Sequence, residues 1–165
     1  MKHSNLVKSV GLLITLFAMF SAAFFNPNWP TTGVCVGCSI NQRLTYSFFH
    51  ASIIHAAINT WCFLSILFLY KIRMWQMLMA YLIAAAAPGF TLMSTPTVGM
   101  SAVCFALLGM IAFQTKRRLY YNGCMALYIV IGFIFPYVNG WLHLYSYVAG
   151  LSVGFLNMPI PCNRK

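Results

Sequence analysis

Few side chains here can do chemistry, so each can be weighed singly. The 165 residues contain no Asp, no Glu and four His. One serine, Ser101, follows Gly99 by two positions in the apolar run "VGMSAVCFALLGM" (98–110). A serine becomes a nucleophile when a base takes its proton, and without carboxylates that base must be sought among the histidines. His3 is terminal, His50 and His55 lie in "RLTYSFFHASIIHAAIN" (43–59), and His143 opens "HLYSYVAGLSVG" (143–154). Acyl transfer also needs fixed donors for an oxyanion. His55 and Asn59, four apart, share a helix face and offer an imidazole and an amide one turn apart. On one continuous helix His50 falls about 140° around from His55.

A serine in an apolar helix is ordinarily a packing residue bonded to its own backbone. These groups carry chemistry only if the elements holding them converge. With 61% hydrophobic and 6% charged residues, the chain cannot cover itself with a water-soluble surface, and lipid is its solvent. The net charge of +10 does not make a nucleic-acid binder, because the ten Lys and Arg form short clusters between apolar runs. Such clusters read as topology signals, and no nucleic-acid partner is expected.

Counted against the roughly 20 residues that span a bilayer, the apolar runs predict six helices at about 9–25, 48–70, 74–90, 98–114, 119–137 and 141–157. Runs without period-two alternation exclude a barrel. The breaks at "NPNWP", "KIR", "PGFTLMSTPT", "QTKRR" and "PYVNG" are turn signals or charge clusters. The first run, led by Lys2 and Lys8, resembles a signal peptide. Its apolar core is longer than a signal's, so it reads as a retained helix. The expected fold is a single all-α membrane domain over 1–165.

With a cytoplasmic N-terminus, Lys2, Lys8, Lys71, Arg73, Lys116, Arg117, Arg118, Arg164 and Lys165 lie inside and only Arg43 lies outside. Both termini are then cytoplasmic. In this orientation His50, His55, Ser101 and His143, from three spans, reach one depth near the outer face. Ionisable groups in a span are functional candidates by default. On the sixth run Ser146, Gly150 and Gly154 follow the small-xxx-small spacing that lets a neighbouring helix come close. Close approach is what a serine-to-histidine hydrogen bond requires.

The segments 43–59, 99–109 and 143–154, in that order, together resemble the rhomboid intramembrane serine proteases. The resemblance implies the family's minimal six-helix bacterial bundle in the cell membrane, and a Ser-His dyad that uses no carboxylate and no cofactor. It implies Ser101 as nucleophile and His143 as general base, with His55, Asn59 and the Ser101 backbone N–H forming the oxyanion hole. His50 would hold the outer loop and the hydrogen bonds of the site, and Arg43 with "LTY" would match a structural motif of the first loop. Gly99 would permit the close backbone approach where the serine's helix begins inside the membrane. The implied partners are the lipid bilayer and transmembrane protein substrates, cleaved near the outer side after entering between the second and fifth spans.

Several positions depart from the family pattern. Ala102 follows the serine where glycine is frequent, and Met100 is bulky enough to narrow the approach. Phe105, where the family often has Tyr, is placed to stack beneath His143. Tyr145 is larger than usual, Ser146 replaces a glycine, and the loop at 26–47 is short, which implies a reduced helical hairpin there. A catalytically silent relative that binds membrane helices stays open as an alternative. So do a bis-histidine haem protein, which leaves Ser101 and Asn59 idle, and a transporter, which lacks an intramembrane carboxylate.

Cys35 and Cys38 form "CVGC" in the outer loop, where a disulfide is possible in an oxidising compartment. Zinc would need two more ligands, so no metal is expected. Cys62, Cys104 and Cys124 read as small hydrophobes and Cys162 as a cytoplasmic thiol. Trp29, Trp75 and Trp141 fall near span ends, as aromatic belts do, and Trp61 falls mid-span.

Overall fold

A computed structural model describes residues 2–25 and 29–157, without the side chains of residues 2–4, 29 and 30. The expectations for Cys162, Arg164 and Lys165, and those for the side chains of Lys2, His3 and Trp29, lie outside the described residues. Six long helices follow one another: α1 Lys2–Phe24, α2 Ile53–Leu69, α3 Met74–Ala85, α4 Ser101–Ile111, α5 Arg118–Ile134 and α6 Gly140–Leu156. Short helical turns occupy the connections, and no strand longer than a single bridge occurs among the described residues.

Each long helix overlaps one of the six apolar runs, although α1 begins at Lys2, ahead of the run at 9–25, and local capping chemistry sets the starts of α2 and α6. α2 starts where the Ser52 hydroxyl accepts the His55 N–H at 3.1 Å, and α6 where the Asn139 side chain accepts the Leu142 N–H at 3.0 Å. By length and apolarity one helix, Asn5–Phe24, suffices by itself to cross a bilayer. α3, α5 and α4 with its turn to Gln114 are shorter apolar helices.

The expected second span is corrected. In place of one helix over 48–70, the chain forms the short helix Ile40–Thr45 and the turn Tyr46–Phe48, then bends by 83° into α2. His50 therefore precedes the helix, and the helical phase computed between it and His55 does not apply. Ser52 is the physical reason: its cap sets the helix start behind both Phe49 and His50. The fourth helix likewise begins at Ser101 and not at 98, because Gly99 takes φ +113°, outside helical space. In the loop 26–47, the place of the expected reduced helical hairpin, the chain carries the short helices Trp29–Thr32 and Ile40–Thr45.

α4 is the centre of the bundle. Eight of its eleven residues are buried, against two of seventeen in α5, so α4 is enclosed and α5 is a flank. α2, α3 and α6 surround α4, α1 rests on α2, and α5 rests on α6. The predicted seam of Ser146, Gly150 and Gly154 is where α6 meets α4. A Cβ on Gly150 would overlap the Ala106 carbonyl oxygen, and one on Gly154 would stand 2.7 Å from the Met110 carbonyl oxygen. Gly109 answers from α4, with a Cβ there 2.6 Å from the Leu151 nitrogen.

Candidate active site

Ser101 is the first residue of α4 and His143 lies in the first turn of α6, so the two side chains stand at the same end of two helices in backbone contact. Ser101 Oγ is 2.9 Å from His143 Nε2, within hydrogen-bond reach. Phe105, one turn along α4, stacks on the His143 ring with centroids 4.3 Å apart and planes at 18°. Across α5, a Cβ on Gly132 would sit 3.6 Å from His143 Nδ1, so that glycine leaves room for the ring. The imidazole is thus held by packing where a carboxylate would otherwise orient it.

The start of α4 supplies backbone donors. Its first backbone bond runs from the Cys104 N–H to the Met100 carbonyl at 3.0 Å, which leaves the N–H groups of Ser101, Ala102 and Val103 without backbone acceptors. This positive helix end faces negative charge favourably. α2 brings two more donors to the same corner. A Cβ on Gly99 would lie 2.8 Å from His55 Cε1, 3.0 Å from His55 Nε2 and 3.5 Å from Asn59 Nδ2. The space left by that glycine is therefore bordered by both side chains. The Ala51 N–H donates to His55 Nδ1 at 3.3 Å, so the neutral ring carries its proton on Nε2, the atom beside Gly99. Asn59 Nδ2 donates one hydrogen to the His55 carbonyl at 3.0 Å and keeps a second.

The segment ahead of Ser101 is fastened on both sides. Val34 and Thr97 exchange two backbone hydrogen bonds of 2.9 Å, and the Val36 N–H reaches the Met93 carbonyl. The Gly99 N–H donates to the Tyr46 carbonyl at 3.1 Å. The Met100 N–H donates to His50 Nε2 at 3.4 Å, and the His50 and His55 rings meet edge to face at 5.2 Å. Leaving the helix thus puts His50 under the serine loop. Arg43 donates to the Ala87 carbonyl at 2.6 Å and the Tyr46 hydroxyl to the Ala84 carbonyl at 3.1 Å, tying the first loop to the end of α3.

The structure brings Ser101, His143, His55, Asn59, His50, Gly99 and Phe105 into one cluster. Arg43 stands apart, at the end of α3. Met100 does not narrow the approach to Ser101: it is buried and lines an apolar cavity with Phe63 and Met77. Sequence reasoning missed Gly132 and Asn139, and reads Tyr46 only as part of the first-loop motif. Asn139 caps α6 and reaches Thr97 Oγ1 at 3.5 Å, joining the histidine's helix to the serine's loop. An Asn-Gly pair directly before an apolar run signals such a cap, whereas nothing local singles out Tyr46 or Gly132. Cys35 and Cys38 are free and half-buried. No cluster of three His or Cys suited to a metal occurs among the described residues. Trp61 is 78% exposed, on the outside of the bundle.

Comparison with known proteins adds a family. The model of the Rhomboid domain matches residues 37–160, a stretch that contains every residue of the cluster. No curated protein and no solved structure matches the chain. The match covers most of the sequence, and the chain belongs to the rhomboid family of membrane proteins.

Proposed function

We propose that this protein is an intramembrane serine endopeptidase that cuts transmembrane helices of other membrane proteins near the outer side of the bilayer. The six helices are six spans of a multi-pass protein, in a bacterial inner membrane, with both termini cytoplasmic as the basic residues favour. Ser101 Oγ attacks the scissile carbonyl while His143 Nε2 takes its proton, and the Nδ1–H tautomer of His143 serves this role. The oxyanion is held by the Ser101 N–H, His55 Nε2–H and Asn59 Nδ2–H. His143 passes the proton to the leaving amine, and a water then adds to the acyl-Ser101 ester and releases the acid.

The observation that carries this reading is the 2.9 Å separation of Ser101 Oγ and His143 Nε2 at the donor-rich start of α4. Access for substrate is consistent with the packing, because α5 rests on α6 and has no substantial packing against α2. A helical peptide bond is shielded by its own hydrogen bonds and side chains, so segments weakened by glycine are the expected substrates.

A fluorophosphonate probe on the folded protein in detergent tests the dyad. Labelling is expected in wild type and absent from Ser101→Ala and His143→Ala. In liposomes, a model single-pass substrate is expected to be cut by wild type and left whole by Ser101→Ala. Failure of folded wild type to label, or equal cutting by Ser101→Ala, overturns the proposal and leaves a helix-binding relative without proteolysis.

A further inference from the structure

At the end of the bundle opposite Ser101, the α2–α3 connection and the C-terminal ends of α4 and α6 enclose a cavity of about 1060 Å³. Tyr70, Lys71, Arg73, Gln76, Gln114 and Asn157 line it. Its charged groups are two cations, set among the amides of Gln76, Gln114 and Asn157. Gln76 Oε1 accepts the Arg73 N–H at 2.8 Å, Gln114 donates to the Lys71 carbonyl at 3.4 Å and Asn157 to the Val153 carbonyl at 2.8 Å. Three other basic residues have partners within the fold. Arg43 bonds the Ala87 carbonyl, Lys8 stands 5.0 Å over the Phe68 ring, and Arg118 bonds the Phe113 carbonyl at 3.2 Å. Neither the Lys71 ammonium nor the Arg73 guanidinium has a hydrogen bond or aromatic contact among the described residues.

The 165 residues contain no Asp or Glu, so no side chain of this chain can neutralise that cavity. Among the described residues the cavity has no counter-charge of its own, and an anion from outside would supply one. We infer that the cavity is a binding site for the phosphate headgroup of an anionic phospholipid, held between Lys71 and Arg73. A membrane protein presents this end of its bundle at headgroup level, and Trp75, half-buried beside the cavity, is the residue type that anchors there. Basic pockets between membrane helices are suited to such headgroups, because phosphate accepts several charge-assisted hydrogen bonds at once. A bilayer also supplies the ligand at high local concentration, as it does not supply free phosphate. The inference rests on the family's membrane location and is independent of the proposed protease chemistry.

Native mass spectrometry of the full chain, released from detergent with a mixture of phosphatidylglycerol and phosphatidylcholine, tests it. Wild type should retain phosphatidylglycerol in preference to phosphatidylcholine. Lys71→Gln/Arg73→Gln should weaken that retention roughly thirtyfold, at about fivefold for each charge near a membrane surface. The charge-keeping exchange Lys71→Arg/Arg73→Lys should restore it, and Lys116→Gln/Arg117→Gln should leave it unchanged. Equal retention by the Lys71/Arg73 double variant overturns the site. So does an equal loss in the 116/117 pair, which would mean diffuse charge without a pocket. Displacement of the lipid by millimolar inorganic phosphate overturns its assignment to a lipid.

Discussion

Along the α4–α6 seam, Gly109, Gly150 and Gly154 let two backbones touch. α5 keeps only Ile129 and Gly132 buried and turns Leu127, Val130 and Ile134 outward. The contrast follows from what each region has to do under the proposed function. A hydrogen bond tolerates errors of only a few tenths of an ångström, so the helices carrying Ser101 and His143 must not shift. A backbone-to-backbone contact between glycines has no rotamers through which to relax. The α5 flank borders the path a substrate helix would take, and few buried contacts make it easy to displace. Its polar ties gather near its start, away from the site: the Tyr147 hydroxyl donates to Asn122 Oδ1 at 2.6 Å, the Tyr121 hydroxyl to the Leu108 carbonyl at 2.8 Å and Arg118 to the Phe113 carbonyl at 3.2 Å.

The comparison breaks most visibly at Gly150. Gly150→Val should abolish cleavage and cost about 3 kcal/mol or more of stability, since the added side chain meets the backbone of Ala106. Thermal unfolding in detergent and a substrate assay read both effects, and a variant that folds and cuts normally would show the seam to be soft. Next in size is His55→Ala, which leaves the seam alone. Loss of one oxyanion donor should lower turnover by about 10²–10³-fold with little change in unfolding, and a loss below tenfold would remove His55 from the role proposed for it.

Smaller effects sharpen the picture. Ser146 is fully buried in the seam and its hydroxyl has no hydrogen-bond partner. Ser146→Ala should therefore raise stability by about 1 kcal/mol through removal of an unsatisfied polar group, with cleavage unchanged. A destabilised variant would mean that the hydroxyl is satisfied after all. Smallest is Leu127→Ala on the flank, expected to shift stability by less than about 0.5 kcal/mol. A fall as large as that of Gly150→Val would erase the distinction between seam and flank.

Much of the site was legible before any coordinates. His55 and Asn59 share a face because a helix repeats every 3.6 residues, and Ser146, Gly150 and Gly154 announced a close neighbour. Phe105 stacks on His143 as its spacing from Ser101 suggested. His50 was misread in geometry because a cap at Ser52 outweighs an apolar run in deciding where a helix begins. The contacts of Tyr46 and Gly132 stayed hidden for a different reason. Each acts on a residue at least ten positions away, and no local period records such a partner, whereas the cap at Asn139 had a local signal that was passed over.

Amino-acid order alone decided that this chain is helical and lives in lipid. Apolar runs of that length can satisfy their backbone there only by hydrogen bonds within each segment, and that requirement is local. Tertiary packing decided that Ser101 and His143 lie 2.9 Å apart, that Gly99 opens a space beside His55 and Asn59, and that Lys71 and Arg73 share an uncompensated cavity. Such meetings depend on how closely helices approach and where each is capped. Those quantities are set by contacts between residues far apart in the chain, out of reach of any rule that reads neighbours.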